Sequence, residues 1–237
     1  VRRGGAVLSA PLDLPDAWRP KRAGRGIGGT DAGALLAYYT PGLDSLTKYS
    51  TAADVWLRLV HGVEKPRSAV MSRGLDKEPV LKSIYERETS LSTTSPGVVW
   101  HPNGWASCSP DALTSISVCE WKTTTVFARK SWGAPMTDEV PPPYVAQCVW
   151  NCSLCDRPEA HLVVAFGRDW KHDDGTPDFA FEETAIYVIE RDRDLERAML
   201  AAAERFQKEH IDVRIPPSVE PRQNVRAWKR ILKGEAP

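Results

Sequence analysis

Apolar residues fall into helical spacing only after residue 24. Residues 1–23 are rich in Pro and Arg without a clear period and read as a basic N-terminal arm. From 30 to 38 the run Thr-Asp-Ala-Gly-Ala-Leu-Leu-Ala-Tyr offers a Thr cap, an early acid and apolar residues on one helical face. Residues 51–61 form a second helix candidate, with Val55, Trp56 and Leu59 turned inward. A third spans 73–88 on Leu75, Val80, Leu81 and Ile84, with Pro79 expected to disturb its first turn.

The period then shortens to that of strands. Short extended runs are expected at 98–100, 105–108 and 116–122, with a turn at Pro102-Asn103-Gly104. Pro141-Pro142-Pro143 leads into a helix ending near Cys155, and 161–166 and 185–189 read as buried strands joined by an exposed, charged connection over 167–177. Leu195, Met199, Ala202, Ala203 and Phe206 mark a last strong helix over 192–210. The pattern predicts a mixed α/β fold with a central mixed sheet flanked by helices, formed by one domain over 24–215 and followed by a basic segment at 216–237.

Composition narrows this reading. With 42% apolar and 26% charged residues the chain has enough core-forming side chains and is not of disordered composition. No apolar run approaches the roughly 20 residues of a membrane span. The first residues lack a sustained apolar segment, so neither a secretory signal nor a membrane partner is expected, and the cytoplasm is the expected location. The net charge is zero, but its distribution is uneven. Residues 1–30 and 214–237 each carry six Lys/Arg against two Asp/Glu, leaving 19 basic and 27 acidic side chains in the 183 residues between them. Basic ends suit phosphate and a central acidic excess suits a metal, although solvated tails explain the ends nearly as well.

The chemistry concentrates in Ser109-Pro110-Asp111 and, nine residues on, Glu120-Trp121-Lys122. If 116–122 is a strand, Glu120 and Lys122 share a face, and a preceding hairpin strand can bring Asp111 beside them. Asp111, Glu120 and the Trp121 main-chain carbonyl then offer hard oxygen ligands to Mg²⁺, with Mn²⁺ able to substitute. Lys122 is placed to orient a water or to stabilise the transition state of phosphodiester hydrolysis. Short D…ExK patterns also arise by chance, as a turn acid and a surface Glu/Lys pair.

Further blocks occur in order: Gly28-Gly29-Thr30-Asp31, Arg73-Gly74 followed by Glu78-Pro79, and Tyr144 with Gln147. Together with the ExK strand, over residues 24–166, the chain resembles the YqaJ-type, lambda exonuclease-like phage recombinase family of the PD-(D/E)xK nuclease superfamily. That resemblance implies a Mg²⁺-dependent exonuclease degrading linear double-stranded DNA 5′ to 3′, exposing a 3′ strand for recombination or repair. It implies that Glu78 completes the acidic cluster directly, through water or at a second metal, and that Gln147 flanks the cleft with Tyr144 in reach. It also permits a homotrimeric ring and a single-strand annealing protein as partner. The alternatives are a structure-specific or nicking endonuclease, and a non-hydrolytic DNA-binding module on the same fold.

Gly24 to Gly29 formally satisfies G-x-G-x-x-G, but no strand precedes it, which argues against a dinucleotide site. A turn feeding the following helix suits a DNA terminal phosphate better, with Gly28, Gly29, Thr30 and Arg25 as its expected contacts. The resemblance implies the same use. Arg73, Lys77, Arg129 and Lys130 are expected to line the approach for DNA. Among nine Trp, Trp105 and Trp121 are expected in the core. Cys148, Cys152 and Cys155 recur on one helical face, with Cys119 at a distance; free thiols are expected, not zinc or an iron–sulfur cluster.

Overall fold

The centre of the sheet is a nine-residue strand, Ser117–Thr125, in which Val, Trp and three Thr residues supply the β-branched and aromatic side chains that suit a pleated surface. The computed structural model describes residues 26–237 except 65, 67, 173–176 and 223, so the N-terminal arm and Arg25 lie outside the described residues. In chain order the helices are α1 (Gly29–Tyr39), α2 (Ala52–His61), α3 (Ala69–Thr89), α4 (Pro142–Cys155), α5 (Arg193–Phe206) and α6 (Val225–Ile231). The strands are β1 (Val99–Trp100), β2 (Ser107–Cys108), β3 (Ala112–Leu113), β4 (Ser117–Thr125), β5 (Glu159–Lys171) and β6 (Pro177–Glu190).

The main sheet has the order β3-β4-β5-β6, and β1 pairs with β2 separately. β4 and β5 run parallel and the outer pairs antiparallel, giving the mixed α/β sheet the pattern predicts. Parallel neighbours need a crossover, and α4 supplies it. Alternation along the strands then sorts two cores. Cys119, Trp121, Val163 and Ala165 face Leu81 and Tyr85 of α3. Val118, Leu162, Val164 and Phe166 join the larger core formed with α1, α2, α4, α5 and α6. Trp121 is buried, while Trp105 is partly buried against the larger core.

Three elements differ from expectation. α3 begins at Ala69, where the Ser68 hydroxyl accepts the Met71 N–H at 3.2 Å, so Pro79 lies in mid-helix and not in the first turn. Leu75 and Val80 are exposed, whereas Leu81 is buried as expected and anchors the helix together with Tyr85, one turn on along the same face. The connection expected over 167–177 is mostly strand: β5 continues to Lys171 and pairs with β6 down to Pro177, past a register shift at Phe166/Gly167. Residues 168–171 are all exposed and hid it, although Phe179 on the opposite strand is buried. In the basic C-terminal segment, Trp228 and Ile231 of α6 are buried, with Trp228 edge-on to Trp56 at 5.7 Å.

Candidate active site

Glu120 and Lys122, two residues apart on β4, share the sheet face that lies under α4. Glu120 is only 1% exposed, and a buried carboxylate must be paired or take up a proton. It receives three donors: Lys122 Nζ at 2.7 Å and Gln147 Nε2 at 2.7 Å on Oε2, and Asn151 Nδ2 at 2.6 Å on Oε1. Gln147 and Asn151 stand one turn apart on α4, so one helix face clamps both oxygens. Burial, opposed by the Lys122 charge and reinforced by that of Asp111, lifts the Glu120 carboxyl to about 7. Lys122 is raised as well: burial disfavours its charge, but Glu120 and Asp111 outweigh it and hold the ammonium above its ordinary range.

Asp111 immediately precedes β3, whose pairing with β4 ends at Ala112↔Cys119. Beyond that point the edge of β4 is open, and Asp111 Oδ2 accepts the Trp121 N–H at 2.7 Å. The N–H and C=O of one strand residue point to the same side, so the Trp121 carbonyl faces the same edge as Asp111. Lys122 Nζ lies 4.0 Å from Asp111 Oδ2 and thus serves as counter-ion to both acids. Glu78 approaches from α3: burial first, then the Asp111 charge, raises its pKa, while Lys122 opposes the shift.

This acid set has the chemistry of a divalent-cation site. Its donors are hard oxygens, and the Asp111 charge disfavours ionisation of both Glu78 and Glu120 while Lys122 opposes it. Among the described residues, however, no three His, Cys, Asp or Glu side chains are gathered into a formed metal cage.

The glycine turn reaches the same helix face. Gly28, not Thr30, is the N-cap of α1, and Asp31 closes the first turn by accepting the Gly28 N–H at 2.8 Å. Thr30 is therefore free of the capping role, and it is exposed, lining a cleft of about 250 Å³ with Tyr49, Ser50 and Arg58. A β-carbon on Gly29 would stand 3.1 Å from Asn151 Oδ1 and 3.1 Å from Gln147 Cγ. One on Gly28 would meet nothing nearer than 3.5 Å. Gly29→Ala is therefore expected to loosen the Glu120 clamp, costing about 1–3 kcal/mol of stability as an overpacked contact. Gly28→Ala, at φ −105°, should stay close to the parent. Thermal unfolding of the two variants checks this, and equal losses would contradict the close approach.

The other expected residues have these surroundings. Arg73 is paired with Asp169 and stacked 4.3 Å from the Phe179 ring centroid, and Lys77 binds Asp178 at 2.6 Å, so both are engaged with the β5–β6 hairpin. Arg129 binds Glu183 and the carbonyls of Trp132 and Gly133, whereas Lys130 is exposed. Tyr144 stacks on Trp132 and shares a 2.8 Å hydrogen bond with Tyr49, and its ring is near enough to Lys122 for their charges to interact. Cys119 faces α3 across the sheet from the α4 cysteines.

Sequence reasoning missed Asn151 and Arg58. Asn151 was visible in principle, four residues after Gln147. Arg58 Nη2 binds Asp31 Oδ2 at 2.5 Å and the Gly26 carbonyl at 3.2 Å, placing a cation beside the glycine turn. It comes from α2, 27 residues from Asp31, and no local pattern announces the contact.

Over residues 17–157 the sequence matches the family model described as a YqaJ-like viral recombinase domain. The chain belongs to this family. The YqaJ-like match spans the glycine turn, Glu78, Asp111, the ExK strand and the whole of α4, and with it comes membership of the PD-(D/E)xK nuclease superfamily and of its DNA-processing proteins. No curated protein matches the sequence. Among solved structures, an alkaline exonuclease from Laribacter hongkongensis is similar, with TM-score 0.57, 22% identity, and coverage of 84% of this chain and 94% of that one. A phage-related exonuclease from Haemophilus somnus 129PT aligns with TM-score 0.58 at 10% identity, covering 79% of this chain and 95% of that one. At such identities the likeness concerns the fold. Among the described residues no helix is long and apolar enough to cross a membrane.

Proposed function

We propose that this YqaJ-like chain is a divalent-metal-dependent exonuclease that degrades linear double-stranded DNA from the 5′ end. The observation that carries the reading is the convergence of Asp111, Glu120 and Lys122 at the open edge of β4. Mg²⁺ held by Asp111, Glu120 and the Trp121 carbonyl, with Glu78 close by, would neutralise charge on the attacked phosphate and acidify a bound water. Lys122 orients the attacking water and stabilises the charge that develops on phosphorus. Gln147 and Asn151 hold the two Glu120 oxygens in place, and the Lys122 charge and the Asn151 hydrogen bond favour its ionised form against burial. Tyr144 and the exposed Lys130 line the DNA approach, and Arg73 enters it by exchanging Asp169 for phosphate.

Polarity rests on the N-terminus of α1. The Gly29 and Thr30 amides belong to its first turn, where backbone N–H groups lack intrahelical acceptors, and the Thr30 hydroxyl opens into the adjoining cleft. Arg58 balances the Asp31 carboxylate there. A 5′ phosphate held at this turn sets the next phosphodiester toward the acids beyond α4. A homotrimeric ring around the DNA and transfer of the product strand to an annealing protein belong to the same proposal, and solution mass at several concentrations tests the ring.

The deciding experiment uses linear duplexes labelled separately at each end, with and without a 5′ phosphate, beside closed circular DNA and EDTA controls. Loss from the 5′ end, preference for the phosphorylated end and silence in EDTA are expected. Thr30→Ala should narrow that preference by about tenfold, the loss of one charge-assisted hydrogen bond. Initial shortening from the 3′ end, or an unchanged preference in Thr30→Ala, overturns the pocket. Cutting of the closed circle would instead identify an endonuclease, and metal-independent binding without cleavage a DNA-binding module.

A further inference from the structure

The sulfurs of Cys108 and Cys155 lie 3.6 Å apart, although their positions are 47 residues apart in the chain. Cys108 is buried on β2, and Cys155 is the partly exposed last residue of α4. A disulfide needs about 2.0 Å between sulfurs, so roughly 1.5 Å of side-chain movement would join them. The two thiols are unlike. Either sulfur can donate in the hydrogen bond they share, and access separates them: Cys155 is partly exposed and near the Arg157 charge, which favours its thiolate, whereas burial disfavours a thiolate at Cys108. A partly exposed thiolate beside a buried resolving thiol is the arrangement that thiol–disulfide exchange requires. Cys152 and Cys148 are fully buried with raised pKa values, and Cys119 lies on the other side of the sheet.

We propose that Cys108 and Cys155 form a thiol–disulfide modification site whose reactant is a small disulfide that enters at Cys155. The Cys155 thiolate attacks one sulfur of the small disulfide, whose S–S bond breaks and releases one small thiolate; that thiolate takes a proton from water. Cys108 then attacks the Cys155 sulfur, forming the Cys108–Cys155 bond and expelling the second small thiolate, which takes the Cys108 proton. Two electrons pass from the protein to the small disulfide. The new bond ties β2 to the end of α4. Beside it, Ser107 accepts the Gly26 N–H on its hydroxyl at 2.9 Å and the Trp150 indole N–H on its carbonyl at 3.0 Å. The bond therefore fastens the strand beneath the glycine turn to the helix that carries Gln147 and Asn151.

The test treats the full-length protein with oxidised glutathione and reads free thiols, peptide maps and unfolding temperature, none of which depends on the nuclease reading. Two thiols should disappear, a Cys108–Cys155 peptide should form, and the unfolding temperature should rise by about 5 °C and fall back with reductant. Cys108→Ser should trap glutathione on Cys155, Cys155→Ser should consume no thiol, and Cys152→Ser should behave as the parent. Iodoacetamide labelling of the unmodified protein, which needs no variant to fold, should react first at Cys155. A Cys152–Cys155 link, a lasting glutathione adduct on the parent with Cys108 still free, or faster labelling elsewhere overturns the proposal.

Discussion

Asp111→Asn is expected to lower cleavage of linear duplex DNA by at least about a hundredfold while leaving the fold intact, on the scale of losing one electrostatic stabiliser at a reacting phosphate. Asparagine has the shape of aspartate, and its remaining oxygen can still accept the Trp121 N–H, so the edge of β4 keeps its hydrogen bond. The loss is one unit of negative charge. The Asp111 charge raises both Glu78 and Glu120, so removing it lets both ionise more readily. A fall in rate would then mark Asp111 itself and not a neutralised neighbour. Glu120→Gln should also abolish cleavage, but less cleanly. Three donors point at Glu120, and an amide nitrogen in place of one oxygen faces a donor with a donor, at a cost of about 1–3 kcal/mol. Cleavage rate, circular dichroism and DNA affinity measured together separate the two cases. Parent-level cleavage by folded Asp111→Asn would defeat the assignment of this acid.

The parts of this architecture that were legible in the sequence are those whose causes are local. The two-residue period that puts Glu120 and Lys122 on one face is a property of the strand alone. The triple proline opening α4 and the apolar stripe of α5 are likewise short-range signals. Misreadings arose where a distant partner decides. Thr30 looked like the cap of α1, but Ile27 pairs with Ala106 far along the chain and the helix is capped from Gly28, immediately after that pairing. The pairing of Arg73 with Asp169 and Phe179 was not foreseen, because the hairpin that carries them was hidden by its own polar surface. Leu75 and Val80 continue a helical pattern whose buried face is set by the sheet below, and the sheet chose Leu81 and Tyr85. The Glu120 clamp shows both kinds of information. Its spacing on α4 is local, but only the parallel crossover brings that face over β4.

Asn151→Asp should be the most damaging single change in the clamp. Asn151 and Glu120 are 2% and 1% exposed, and the amide nitrogen lies 2.6 Å from Glu120 Oε1. Aspartate there sets two carboxylate oxygens at hydrogen-bond distance in a dry interior, where both cannot ionise. One acid must keep a proton in the folded state that it would release in the unfolded chain. Its folded pKa is raised, so the stability tied to that proton is complete at acid pH and drains away as pH rises through the carboxylate range and on to the folded pKa. The variant should therefore approach the parent near pH 4 and fall behind it toward pH 8, by at least about 3 kcal/mol, the cost of an uncompensated buried charge. Cleavage at pH 8 should drop by at least about a hundredfold, because the shared proton neutralises the Glu120 clamp. Asn151→Ala removes one hydrogen bond to a charged group without adding charge, and should lose only about 1.5–3 kcal/mol, with far less dependence on pH. Unfolding temperature and cleavage rate, each followed from pH 4 to pH 8, distinguish the two variants. If Asn151→Asp unfolds and cleaves like the parent at pH 8, Asn151 does not hold Glu120.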